Sequence, residues 1–221
     1  GNTKAVLTVE KVGKVDLPAP DIFFGNSKME VTDTDIYKSD QVFTRGQMIT
    51  VTGIDNLNEW WIDPDFFEKQ SDGTLKFLPI NGDYRVTANG ILKYFSVIAL
   101  KDGKPAKLQD DGTGAIWAIG KGIGKPSVTS SEVGWETGKA LCLAQVAPKK
   151  YQLTLKAGET LKTSGDWEAI SFKFFYQNDW GGEFSNYASN TLVEQLKLTG
   201  SGNLEMQDNN CLLYTSPSPR D

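Results

Sequence analysis

LKFLPINGDYRVTANGILKYFSVIAL, residues 75–100, holds three short runs rich in aromatic and β-branched residues: LKFLPI, GDYRVTA and LKYFSVIAL. Each is about the length of a strand, and Gly, Asn, Asp and Pro sit between them, the residues that turns require. Working outward, the same pattern recurs. KAVLTVEKV, SKMEVTD and GQMITVTGI precede this stretch, with LPAPD, SDG and KDGKP as further separators. AIWAIG, KALCLAQV, YQLTL, AISFKFFYQ and NTLVEQLKL follow it. Strands spaced in this way predict an all-β protein of sandwich type rather than βαβ units. The segment KLQDDGTGA divides the two series, which places a boundary near Asp111. Two β-sandwich domains of Ig-like or carbohydrate-binding-module-like type are expected, residues 1–111 and 112–210. DPDFFEKQ predicts one helical turn, with Asp63 as N-cap and Pro64 at the first helical position.

The tail CLLYTSPSPRD, residues 211–221, stands apart. One codon choice for it reproduces the transposase-adapter sequence used in shotgun DNA sequencing. It is read here as a non-native tail and set aside from fold reasoning. On that reading the second sandwich is expected to lack its closing strand.

Composition narrows the chemistry. The 221 residues are 39% hydrophobic and 23% charged, ordinary for a globular protein. No apolar run approaches the ~20 residues of a membrane-spanning helix. A net charge of −5 disfavours a phosphate-binding surface, so nucleic acid is not an expected partner. With the tail set aside only Cys142 remains, too few thiols for a disulfide framework or a thiolate metal cluster. Histidine is absent from the sequence, which removes imidazole relays, His-ligated zinc and a His general base. An enzyme built from these residues would work with carboxylates, Lys or Tyr.

Six tryptophans are a heavy load. Trp117 in AIWAIG reads as core. Trp60 and Trp61, if extended, point to opposite faces, so at most one is expected in the core while the other is exposed. Trp135 in SEVGWETGK and Trp180 in YQNDWGGEF sit in polar surroundings. An exposed indole face ringed by amides and carboxylates suits a sugar, whose C–H face stacks while its hydroxyls take directional hydrogen bonds. The same two residues could instead plug the ends of a sandwich core.

Other motifs carry less. Glu132, Glu136, Asp179 and Glu183 lie near these tryptophans, yet a glycosidase needs two carboxylates flanking the scissile bond, which sequence does not show. TDTDIYKSD and QDDGTG are acidic but do not fit the EF-hand spacing, and they read as turn acids. IGKGIGKPS lacks the terminal Gly-Lys-Ser/Thr of a phosphate-binding loop and reads as a flexible loop. No metal and no cofactor is expected.

AIWAIGKGIGKPS, GWETGKALCL, FKFFYQNDWGGEF and GSGNLEM, taken in that order, resemble the carbohydrate-binding modules of starch-utilisation-system outer-membrane lipoproteins of the SusE/SusF kind. Ile119-Gly120, Gly134-Trp135, Phe172-Lys173-Phe174 and Asp179-Trp180-Gly181 match. The resemblance covers residues 115–210 and, more loosely, the first domain through FFEKQSDGTLKFLPINGDYRVTA. It implies a non-catalytic cell-surface protein, lipid-anchored to the outer membrane, that captures polysaccharide or oligosaccharide for uptake with other outer-membrane components of a glycan-uptake complex. Trp135 and Trp180 would form the stacking platform, with Asn178, Asp179 and Lys139 beside them to hold sugar hydroxyls. The inserted KGIGKPSVTSSEV before Trp135 departs from the pattern. The alternative is an Ig-like spacer of a surface assembly with no ligand of its own.

Overall fold

The computed structural model describes residues 18–163, 169–184, 196–199 and 202–206. The expected strand KAVLTVEKV, most of NTLVEQLKL, Trp167 and the tail 211–221 lie outside them. The first half carries β1 (Phe23–Phe24), β2 (Ser27–Lys28), β3 (Glu30–Asp33), β4 (Ile36–Phe43), β5 (Met48–Ile49), β6 (Val51–Thr52), β7 (Phe67–Lys69), β8 (Leu75–Phe77), β9 (Gly82–Asn89), β10 (Tyr94–Lys101) and β11 (Lys104–Pro105). The second carries β12 (Trp117–Gly124), α1 (Val128–Ser131), β13 (Glu132–Gly134), β14 (Leu141–Cys142), β15 (Ala144–Ala147), β16 (Lys150–Gln152), β17 (Ser171–Phe175), β18 (Leu196–Leu198) and β19 (Leu204–Met206). The protein is a two-domain, all-β sandwich.

In the first domain a five-stranded sheet, β11-β10-β9-β4-β3, packs against two three-stranded sheets, β2-β1-β6 and β5-β8-β7. Phenylalanines join these layers. Phe24 of β1 meets Phe43 of β4 at 6.0 Å, Phe67 of β7 at 5.7 Å and Phe95 of β10 at 5.2 Å between ring centroids, all edge to face. Aromatic pairs at such spacing add about 0.5–1.5 kcal/mol each beyond burial. GQMITVTGI, expected as one strand, breaks at Thr50 so that β5 and β6 serve different sheets. Tyr84, buried, donates its hydroxyl to the Ile80 carbonyl at 2.7 Å and pins the entry to β9.

The longest first-domain pairing involves a strand that the sequence concealed. β4 pairs β9 over eight residues, Ile36↔Asn89 through Phe43↔Gly82. TDTDIYKSD shows no run of hydrophobics, so the pattern predicts turn acids where β4 begins. Its inward face is partly polar: buried Ser39 donates to Ser27 Oγ at 2.9 Å, and Gln41 Nε2 donates to the Phe24 carbonyl and to Ser39 Oγ, each at 2.9 Å. DPDFFEKQ forms a single turn, with Phe66 and Phe67 N–H donating to the Asp63 carbonyl, and then enters β7.

In the second domain the sheet order is β13-β12-β17-β19-β18, with β14 also on β12 and a separate β15–β16 hairpin. Here IGKGIGKPS is not the flexible loop expected. Its first half completes β12, the strand that pairs β13, β14 and β17. Glycine serves close approach: a Cβ on Gly120 would lie 2.3 Å from the Ser171 carbonyl oxygen, at a φ of +145°. Gly120→Ala is therefore expected to cost about 3 kcal/mol or more, from left-handed strain plus overpacking. Urea denaturation reads this directly, and a cost under 1 kcal/mol would contradict the close approach.

Both cores are aromatic-rich, and Trp117 is fully buried in the second, its indole N–H donating to the Ala106 carbonyl at 3.0 Å. Neither Trp60 nor Trp61 is in the core, and the exposed ring expected of the pair is not found. Both are half-buried: Trp60 packs on Phe95 at 4.6 Å, and Trp61 lies against Tyr94 at 5.7 Å while its indole N–H donates to Glu159 across the domain junction at 2.7 Å. The second domain covers the ring that the first would have left exposed.

Candidate functional site

β13 and β17 both run antiparallel to β12, so their C-terminal ends lie at the same end of the sheet. Trp135 follows β13 directly and Trp180 lies five residues beyond β17. That is why two residues 45 positions apart meet: their rings are stacked, with centroids 6.4 Å apart and planes inclined by 27°. Trp135 is half-buried and packs against the second core, whereas Trp180 is 50% exposed and rests edge-on against Phe175 at 5.8 Å.

The loop that carries Trp180 is held at several points. Tyr176 N–H donates to the Gly182 carbonyl at 2.8 Å, and Phe184 N–H returns to the Phe174 carbonyl at 2.9 Å, which closes a hairpin. Within it Tyr176 Oη donates to the Gly181 carbonyl at 3.1 Å, Gln177 Nε2 donates to the Trp180 carbonyl, and Asp179 Oδ1 accepts the Trp180 N–H at 2.8 Å. Such a loop loses little entropy on binding a ligand.

The remaining candidates are distributed as follows. Asp179 orders the loop from an exposed position, and Asn178 is half-buried in the same turn. Lys139, exposed, pairs with Glu136 at 3.0 Å in the turn after Trp135. Glu132 is committed elsewhere, accepting the Gly122 N–H at 2.8 Å. QDDGTG is a turn in which Asp111 accepts from Thr113 N–H and Oγ1, bonds that hold its carboxyl below the usual range. Among the described residues no group of three or more Cys, Asp or Glu is arranged to hold a metal ion.

Sequence reasoning missed the buried charges at the domain junction. Lys125, 4% exposed, places Nζ 2.6 Å from Asp63 Oδ2 and 3.4 Å from Asp65 Oδ2. Asp65 also accepts from Thr154 N–H and Oγ1, both at 2.6 Å, and from Gln152 Nε2 at 2.8 Å. The inserted KGIGKPSVTSSEV thus completes β12, delivers Lys125 to the first domain and forms α1. No local signal announces this cluster, because each of its hydrogen bonds joins residues 60 to 89 positions apart in the chain. Around it, Ile80 N–H donates to the Gln145 carbonyl at 2.9 Å and the Arg45 guanidinium to the Val146 carbonyl. Burial pushes the Cys142 thiol nearby up to about 12, so it stays protonated and unreactive.

Burial also raises the Asp63 carboxyl, although Lys125 pulls the other way. A raised folded-state pKa means that this carboxyl's contribution is fully present below the ordinary carboxylate range and is lost as pH rises through the raised value. Glu159 has the opposite sign, lowered first by Lys156 and then by the Trp61 indole, so its contribution is lost as pH falls. Asp63→Asn isolates the first effect. Its stability deficit against wild type is expected to be larger at pH 4 than at pH 7 by urea midpoint, and the reverse order would overturn the assignment.

Residues 13–108 match the model of a family described as "Domain of unknown function (DUF5125)" and residues 111–214 that of "Domain of unknown function (DUF5121)". No curated protein and no solved structure matches the chain. The two matches lie in series along the chain, the first ending at residue 108 and the second beginning at residue 111.

Proposed function

We propose that this protein is a non-catalytic glycan-binding protein of the cell surface that captures a polysaccharide by aromatic stacking at Trp135 and Trp180. The observation that carries the reading is the half-exposed Trp180 ring, nearly parallel to Trp135 and presented on a hydrogen-bonded loop. An indole held in that way offers a face to a sugar at small entropic cost. To Asn178 and Asp179 in the Trp180 turn, and Lys139 in the turn after Trp135, this reading assigns the hydrogen bonds to sugar hydroxyls. The outer-membrane location, the lipid anchor and the partnership with other uptake components follow from the resemblance to SusE/SusF modules.

Affinity gel electrophoresis against starch, xylan and mannan tests this reading. Retardation by one polymer is expected, with modest affinity because stacking at a single platform is weak unless modules act together. A folded protein retarded by no polymer would overturn it in favour of the Ig-like spacer. That second reading draws on the packing of Trp135 against the second core and on the charge-clamped junction, which suit a rigid strut.

A further inference from the structure

A cavity of about 300 Å³ lies at the junction of the two domains. Its wall combines residues of both, with polar Asp63, Asn89, Lys125 and Lys139 against apolar Leu92 and Ile98. We infer that this cavity is a second ligand subsite that takes a single sugar ring or a small polyol of that size. This rests on the glycan-binding reading.

The chemistry of the wall selects the guest. Two of the three Lys125 ammonium protons are taken by Asp63 and Asp65, which neutralise its charge and leave one proton to donate. An anion therefore finds no net positive charge at Lys125. Asn89 Oδ1 is occupied by the N–H groups of Ile91, at 3.0 Å, and Leu92, at 2.9 Å, which fixes the amide and leaves its NH₂ to donate. A purely apolar guest would bury these donors without partners, at about 1–3 kcal/mol each. A sugar ring meets both demands, with hydroxyls toward the amide and ammonium and C–H groups toward Leu92 and Ile98. The volume lies at the lower end of ligand pockets, room for one ring rather than a chain.

The position ties the cavity to the tryptophans. Gly138, Lys139, Ala140 and Leu141 line it, and Trp135 begins the same segment. Gly138 is three positions after Trp135, so their Cα atoms are at most about 11 Å apart. One oligosaccharide could touch both, and the cavity would then read its end.

Gly138 allows a clean test. It is exposed, and an added Cβ meets nothing within 4 Å, so Gly138→Trp can fill the cavity from its rim while both cores stay intact. Gly138→Ala, too small to fill it, is the control. Saturation-transfer NMR on the full chain with millimolar glucose, xylose and mannose reads the site. Transfer to at least one sugar is expected in the Trp180→Ala background, where the platform is removed, reduced tenfold or more by adding Gly138→Trp and kept on adding Gly138→Ala. No transfer from the folded Trp180→Ala protein, or transfer equal on adding Gly138→Trp, overturns the subsite. Polymer retardation separates the two ideas: retardation lost in Trp180→Ala beside transfer indifferent to Gly138→Trp keeps the platform and sinks the cavity. Transfer lost in Gly138→Trp without any polymer retardation keeps the cavity and sinks the platform.

Discussion

Asp65→Ala should cost about 3–5 kcal/mol of folding stability, the range for removing one partner of a buried ion pair. The carboxylate is 2% exposed and accepts from Thr154 N–H, Thr154 Oγ1, Gln152 Nε2 and Lys125 Nζ. Alanine would leave a backbone N–H and a hydroxyl without their acceptor and the buried Lys125 with Asp63 alone. The loss falls on the junction, so both domains should be affected together. Urea denaturation followed by tryptophan fluorescence measures it. A double-mutant cycle with Lys125→Met should return a coupling energy of 1 kcal/mol or more, since the ammonium and Asp65 lie 3.4 Å apart out of solvent. A cost below 1 kcal/mol for Asp65→Ala would mean that the domains do not depend on this cluster.

Trp180→Ala should abolish polymer retardation, a loss of at least tenfold in affinity, with little change in stability. The ring is half in solvent, so its removal deletes the edge contact with Phe175 and the stack on Trp135 but opens no core cavity. The loop around it stays closed, because its bonds run through the Trp180 backbone, which Ala retains. Trp135→Ala is a less selective probe, since that ring packs against the second core and its loss adds a stability cost. Full retardation by Trp180→Ala would sink the platform; loss of retardation with an unchanged urea midpoint would support it.

How much was legible from the residues varies with the kind of signal. Strand after strand of the first domain is written in aromatic and β-branched runs, and Trp117 announces itself as core because a large apolar side chain in such a run has nowhere else to go. β4 was illegible because Ser39 and Gln41 take inward positions and satisfy each other and the Phe24 carbonyl, so the alternation of hydrophobics breaks where the hydrogen bonds begin. Gly120 and Gly122 looked like flexibility because glycine permits both freedom and close approach, and only the neighbouring backbone of Ser171 and Ala169 shows which applies.

From the sequence alone came the all-β class, the exclusion of histidine chemistry and the two tryptophans worth watching, because composition and period-two patterning are local properties. The meeting of Trp135 with Trp180 required the shared direction of β13 and β17 beside β12. The junction required more: Lys125, Asp63 and Asp65 are ordinary polar residues until folding buries them against one another. In that setting each hydrogen bond replaces lost water, and a charge without its partner becomes costly.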